Sequence, residues 1–289
     1  MSNGLHVNPE DFKLAPREAE PKAAVRVAAV QMVSGPHVEG NLEEAGRLIE
    51  DAVAQGAKLV ALPEYFPILG LNERDKVKVR EEQGSGPIQE FLSSTARRHG
   101  IWLVGGSVPL VASVPDKVRN SSLVYDDQGR LVARYDKIHL FGFEMGAESY
   151  SEPRTIEPGK EVVAFDSPFG RIGLSICYDL RFPELYRAMK DVDLILAPSA
   201  FTETTGRAHW ETLIRARAIE NLAYVLAPAQ GGYHANGRET HGDSMLVDPW
   251  GVVVDRLPRG SGVVIGDVDR EHTARLRQSL PALAHRTLA

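Results

Sequence analysis

Cysteine is almost missing from this chain: its 289 residues include one, Cys177. A single cysteine excludes an internal disulfide and a thiolate metal cluster, and it suits a reducing compartment such as the cytoplasm. Long apolar runs are missing too. The longest stretches are of strand length, far below the roughly 20 residues of a membrane-spanning helix. No N-terminal segment joins a basic patch, an apolar run and a small-residue cleavage site, so no secretory signal is expected. Basic blocks are also lacking. The 33 Lys and Arg against 39 Asp and Glu leave a net charge of −6, with both signs scattered along the chain. Without a basic stripe to attract phosphate backbones, nucleic acid is not an expected partner. HExxH, CxxC, Walker A and a GxGxxG placed after a strand do not occur. No metal or organic cofactor is therefore expected.

What is present is the balance of an ordinary globular protein, with 43% hydrophobic and 25% charged residues. Residues 1–22 are polar and interrupted by Pro9 and Pro16, which reads as a flexible arm. Residues 23–289 read as one α/β domain. The run 25–32 (VRVAAVQM) predicts a buried strand. Asn41 as N-cap, with Glu44 as its capping-box partner, predicts a helix ending at Gly56. The run 59–62 (LVAL) predicts a parallel strand that delivers Glu64 at its carboxyl end, where open α/β sheets place ligands. A helix over 87–99 and a strand over 101–108 follow. Runs at 122–125 and 131–135, and at 162–165 and 171–177, flank turn sequences, so the sheets should be mixed. Strands over 193–197 and 223–227 enclose a helix over 210–220. A hairpin at 245–255, a strand over 262–268 and a helix near 270–280 complete the pattern.

Three residues stand at strand ends with chemistry to offer. Cys177 closes the run 173–177 and is followed by a polar turn, 178–181 (YDLR). A thiol at such a turn faces a cleft, and N–H groups of the next turn can meet a developing oxyanion. A buried inert thiol fits the same position. A free thiol is mostly protonated at neutral pH, so a nucleophile needs a base or a cation nearby. Glu64, in 62–66 (LPEYF), sits among apolar and aromatic neighbours, a setting suited to a general base. Lys137 ends the strand 134–137 and supplies a point cation. His139, His209 and His241 have suggestive surroundings but read as structural residues.

The blocks 62–64 (LPE), 137–140 (KIHL) and 177–184 (CYDLRFPE) together resemble the signature blocks of the nitrilase superfamily of carbon–nitrogen hydrolases, in order and in spacing. The resemblance runs from about Val25 to Leu280. It implies an α-β-β-α sandwich with two mixed sheets and an amidase with Glu64, Lys137 and Cys177 as catalytic residues. Glu148 would be the second glutamate, with Glu144 as its alternative, and Glu148 and Tyr178 would position substrate. It implies a Cys thioester mechanism without a cofactor, releasing ammonia from a small-molecule amide. It also implies a homodimer or higher homo-oligomer, paired through helices at 184–190 and 210–220. Within the superfamily, 197–201 (APSAF), 208–211 (AHWE) and 242–251 are similar to the Nit subgroup, which acts on deaminated glutathione and on ω-amides of 2-oxo acids. Nitrile or N-carbamoyl amide hydrolysis and a catalytically silent relative are the alternatives. An anionic substrate would call for a further cation from among Arg181, Arg207 and Arg238.

Overall fold

The computed structural model describes residues 24–146 and 148–287, so the arm expected over 1–22 lies outside the described residues. The chain starts with β1 (Ala24–Gln31), α1 (Val38–Ala54) and β2 (Leu59–Ala61), and β2 runs parallel to β1. Side chains alternate along β1. Val27 and Ala29 face one core, while Ala28 and Val30 face another beneath α1. The helix begins earlier than its apolar pattern, at Val38 with His37 as N-cap, so Asn41 caps nothing. Its buried amide instead accepts from the Gly35 N–H (2.8 Å) and donates to the Pro67 carbonyl (2.9 Å). Glu44 pairs with Arg47 on the exposed face rather than closing a capping box. Asn41 thus satisfies backbone groups of two loops that a cap would have left unpaired.

The next elements are α2 (Asp75–Lys78), α3 (Pro87–His99), β3 (Trp102–Val104) and β4 (Val108–Val111). Pro87 opens α3, and Gly100 in the left-handed region closes it, as composition predicts. The single strand expected over 101–108 is two strands, broken at Gly105 and Gly106. Gly106 has φ +49°, and a Cβ on it would stand 2.0 Å from the Pro63 carbonyl oxygen. The break brings that backbone against the loop that carries Glu64.

Then come β5 (Val118–Tyr125), β6 (Leu131–Asp136), β7 (Gly142–Met145), β8 (Glu148–Ser151), β9 (Ala164–Ser167) and β10 (Gly170–Leu174). The chain ends with α4 (Pro183–Ala188), β11 (Leu194–Leu196), α5 (Glu203–Asn221), β12 (Tyr224–Ala227), β13 (Ser244–Val247), β14 (Val253–Leu257), β15 (Gly262–Asp269) and α6 (Arg270–Ser279). α5 starts well before Trp210. Thr202 caps it by accepting the Thr205 N–H (3.2 Å), and its first turns are too polar to show an apolar period.

The strands form a seven-stranded sheet in the order β15-β1-β2-β3-β5-β4 with β6 on β5, a six-stranded sheet β14-β13-β12-β11-β10-β9, and the small hairpin β7-β8. Both large sheets are mixed: β1-β2-β3 and β10-β11-β12 are parallel, and their flanks are antiparallel. Residues of both sheets share one core, to which α4 and α5 add Leu185, Trp210 and Ile214. Leu48 and Ile49 of α1 and Leu92 of α3 cover the other face of the seven-stranded sheet. The result is a four-layer α-β-β-α sandwich. Beyond the parallel strands, the Met32 N–H donates to Ala229 O (3.3 Å) and the Gly231 N–H donates to Met32 O (2.9 Å), which locks the two carboxyl edges together.

Replacing Gly106 by Ala forces a side chain into the Pro63 carbonyl at a left-handed backbone position. The expected cost is more than about 2 kcal/mol of stability, read as a lower urea midpoint with unchanged slope.

Candidate active site

Glu64 follows β2 and is 1% exposed. Its carbonyl accepts from Gln230 Nε2 (3.1 Å), and the next residue, Tyr65, is held at φ +56° by an N–H bond to Ser107 Oγ (2.9 Å). Lys137 follows β6 and is equally buried. Its Nζ donates to Glu64 Oε1 and to Glu152 Oε1, each at 2.8 Å. Asn120 Nδ2 donates to the same Glu64 oxygen (2.9 Å). Glu152 also accepts from Tyr65 Oη (2.6 Å) and from the Phe141 N–H (2.6 Å). The β7-β8 hairpin explains how a residue so far along the chain returns to Lys137. Its register pairs Gly142 with Ser151, so its two ends meet beside the lysine.

Cys177 lies between β10 and a short 3-10 helix, Cys177–Arg181. Its φ is +51°, a strained position for a side chain that costs of order 1–3 kcal/mol. Neighbouring bonds impose it. The Cys177 N–H donates to Pro198 O (2.9 Å), and the Ala200 N–H points at Sγ (3.5 Å). Asp179, fully buried, accepts from the Ile176 N–H (2.9 Å), Tyr135 Oη (2.7 Å) and the His139 N–H (3.1 Å), and pairs with His139 Nδ1 (2.7 Å). One carboxylate therefore staples the cysteine turn to the segment on either side of Lys137. The Tyr178 N–H falls in the first turn, before the ladder begins with Asp179 N–H to Ile176 O (3.1 Å).

Burial pushes the Cys177 thiol well above its ordinary pKa, and the Glu64 charge adds to this. Lys137 and the Ala200 N–H pull the other way without prevailing. Burial therefore favours the neutral thiol over the thiolate. Burial works against the Lys137 charge, but the Glu152 and Glu64 carboxylates outweigh it and hold the ammonium protonated. Burial likewise raises Glu152, and Lys137 with the Tyr65 and Phe141 donors brings it below the usual carboxylate range.

Glu64, Glu152, Cys177 and Tyr178 line one small cavity, together with Arg181 and Arg238. Arg181 lies over the rings of Tyr178 and Phe201, and Arg238 over that of Tyr150. Arg238 Nη2 donates to Ala200 O (2.6 Å), while its buried Nε has no partner among the described residues. Arg207 is exposed and paired with Glu203, away from the cavity. His209 contacts Arg181, and His241 pairs with Glu203. Glu148 does not reach Lys137. It sits on β8, where it accepts a hydrogen bond from Thr204, and Glu144 is exposed on β7. The place beside Lys137 belongs to Glu152, which the sequence pattern does not single out. A glutamate directly before Pro153, at the start of a helical turn, is the only local signal it offers. Among the described residues, no cluster of three or more His, Cys, Asp or Glu is arranged to hold a metal ion. No helix among them is long and apolar enough to cross a membrane.

Because its folded pKa is depressed, Glu152 contributes stability above the ordinary carboxylate pKa, and this is lost as pH falls through the folded value. Glu152→Gln should therefore cost about 3 kcal/mol at neutral pH, with the gap to wild type closing as denaturation is measured in increasingly acidic buffer.

Comparison with known proteins agrees with this geometry. Residues 26–278 match the carbon-nitrogen hydrolase family. A deaminated glutathione amidase of Synechocystis is 41% identical over 265 residues, covering 90% of this chain and 97% of the relative. The crystal structure of Saccharomyces cerevisiae Nit3, of the nitrilase superfamily, superposes with a TM-score of 0.83 at 32% identity, covering 92% of this chain and 97% of the other. The Caenorhabditis elegans NitFhit structure gives a TM-score of 0.85 at 38% identity, covering 92% of this chain and 65% of that longer one. The chain belongs to the carbon-nitrogen hydrolase family of the nitrilase superfamily and is an amidase.

Proposed function

We propose that Cys177, Glu64 and Lys137 cleave the amide of a small 2-oxo acid, with deaminated glutathione as the best substrate. The observation that carries this reading is the placement of a buried thiol, on a strained turn, in one cavity with a buried glutamate tethered to a lysine. Glu64 takes the Cys177 proton as sulfur attacks the amide carbonyl. Two of the three Lys137 N–H donors are engaged by carboxylates; the third, with the Tyr178 N–H, receives the oxyanion. The C–N bond then breaks and Glu64 returns the proton to the leaving amine. Water, deprotonated by Glu64, attacks the thioester, and the sulfur regains its proton. Glu152 keeps Lys137 in place and takes the role expected of Glu148.

Two features support an anionic acyl group. Arg181 and Arg238 both line the cavity, and neither pairs with a carboxylate among the described residues. The unpartnered Nε of Arg238 is costly unless a ligand fills it. The Synechocystis relative, named a deaminated glutathione amidase, fits such a substrate. With deaminated glutathione the departing amine is a cysteinyl peptide, so the expectation of ammonia release holds only for primary amides. A homodimer through α4 and α5 is supported by the apolar patch of Ile219, Trp250 and Val252, each about half exposed. Placement in the cytoplasm rests on the single free thiol.

The test is product release from deaminated glutathione, 2-oxoglutaramate, an aliphatic amide and an N-carbamoyl amino acid. Wild type should turn over the first two. Cys177→Ala should abolish this turnover, and Glu64→Gln should lower kcat by about 10³-fold while both variants stay folded. Turnover that survives Cys177→Ala would sink the reading.

A further inference from the structure

The nucleophile cavity shares Phe141, Glu152 and Arg238 with a second, more open chamber. Nothing in bond cleavage itself requires this space. Its walls include Tyr65, Asn72, Asn236 and Lys76 with its partner Glu73, so it is polar and carries a cation beside a solvent-exposed carboxylate. Lys76, on α2, has a side chain only 12% exposed. Its Nζ donates to Glu73 (2.7 Å) and to Thr155 Oγ1 (3.4 Å) and lies 5.2 Å over the Tyr65 ring. An ammonium has three donors, so one remains for a ligand. The Glu73 partner is 59% exposed, and a pair so open to solvent is weak and exchangeable.

The position of the chamber matters as much as its charge. The leaving amine collects its proton from Glu64. Tyr65, next in the chain, and Glu152, which shares Lys137 with Glu64, are both walls of the outer chamber. Glu64 itself lines the inner cavity, and its neighbours Tyr65 and Glu152 connect it with this chamber, which gives the amine half a path outward, while Arg181, which lines only the inner cavity, stays with the acyl half. Resting on the amide-hydrolase reading above, we infer that the outer chamber is the subsite for the amine half of the substrate, and that Lys76 is a specificity residue that binds a carboxylate on it. The enzyme then selects amides whose nitrogen belongs to an amino acid or short peptide over primary amides that release ammonia.

The experiment compares kcat/KM for deaminated glutathione and for 2-oxoglutaramate in wild type, Lys76→Met and Lys76→Arg, with melting temperatures matched. Wild type should favour the peptide amide. In Lys76→Met the ratio of the two values should fall about tenfold, through KM for the peptide amide, and Lys76→Arg should restore most of it. Cysteinylglycine should inhibit wild type competitively and Lys76→Met more weakly. A ratio unchanged by Lys76→Met, or an equal fall for both substrates, would overturn the subsite. If wild type cleaves neither substrate although Cys177 still alkylates, the amide reading itself fails and the subsite with it.

Discussion

One ammonium held between two carboxylates, sealed from water, sets the character of this molecule. Lys137 binds Glu64 and Glu152 at equal distance in the interior. Removing three charges from water costs several kcal/mol per ion unless geometry and further hydrogen bonds compensate. In this site further bonds do so: Asn120 donates to Glu64, and Tyr65 and the Phe141 N–H donate to Glu152. The cluster carries one negative charge in excess. That excess, together with burial, keeps the nearby Cys177 protonated. The site therefore does not store a thiolate. In the proposed chemistry Glu64 takes the thiol proton, and the lysine meets charge that appears only when the carbonyl is attacked.

Such a cluster demands rigid supports, and the two sheets supply them from opposite sides. The seven-stranded sheet brings Glu64 and Lys137, and the six-stranded sheet brings the cysteine turn. Three devices hold these supports in place. Gly106 and Ser107 press on the Glu64 loop, Gln230 reaches across from the other sheet to the Glu64 carbonyl, and Asp179 ties the cysteine turn to His139 and Tyr135. Bonds on both sides of Cys177 over-determine its backbone, which is how a strained nucleophile persists.

Much of this is legible in the sequence, and the exceptions have physical causes. Glu64, Lys137 and Cys177 end apolar runs, so strand periodicity and the signature blocks locate them together. Helix α3 can be read to its bounds because Pro87 and Gly100 mark its ends with strong local chemistry. Glu152 leaves no such mark. It follows a short, half-exposed hairpin strand, and its partner is chosen by the return of that hairpin rather than by any period. Asn41 resembles a cap because its type suits caps; a tertiary demand from two loops outweighs that preference. The strand over 101–108 looks continuous because strand-forming apolar residues stand on both sides of Gly105 and Gly106, and the contact of Gly106 with Pro63 is visible only in three dimensions. The sequence names Arg181, Arg207 and Arg238 as candidate cations without separating them, since what separates them is their place at or away from the wall of the cavity.

Everything in the proposed chemistry turns on the protonation state of Cys177, and the chain offers a clean way to read it. As the only cysteine, it alone produces a thiolate band in the ultraviolet difference spectrum between wild type and Cys177→Ala. Titrated without substrate, that band should be absent at neutral pH and rise only well into the alkaline range. A full band at neutral pH would mean a stored thiolate paired with Lys137, and would contradict the role of Glu64 as the base that generates the nucleophile.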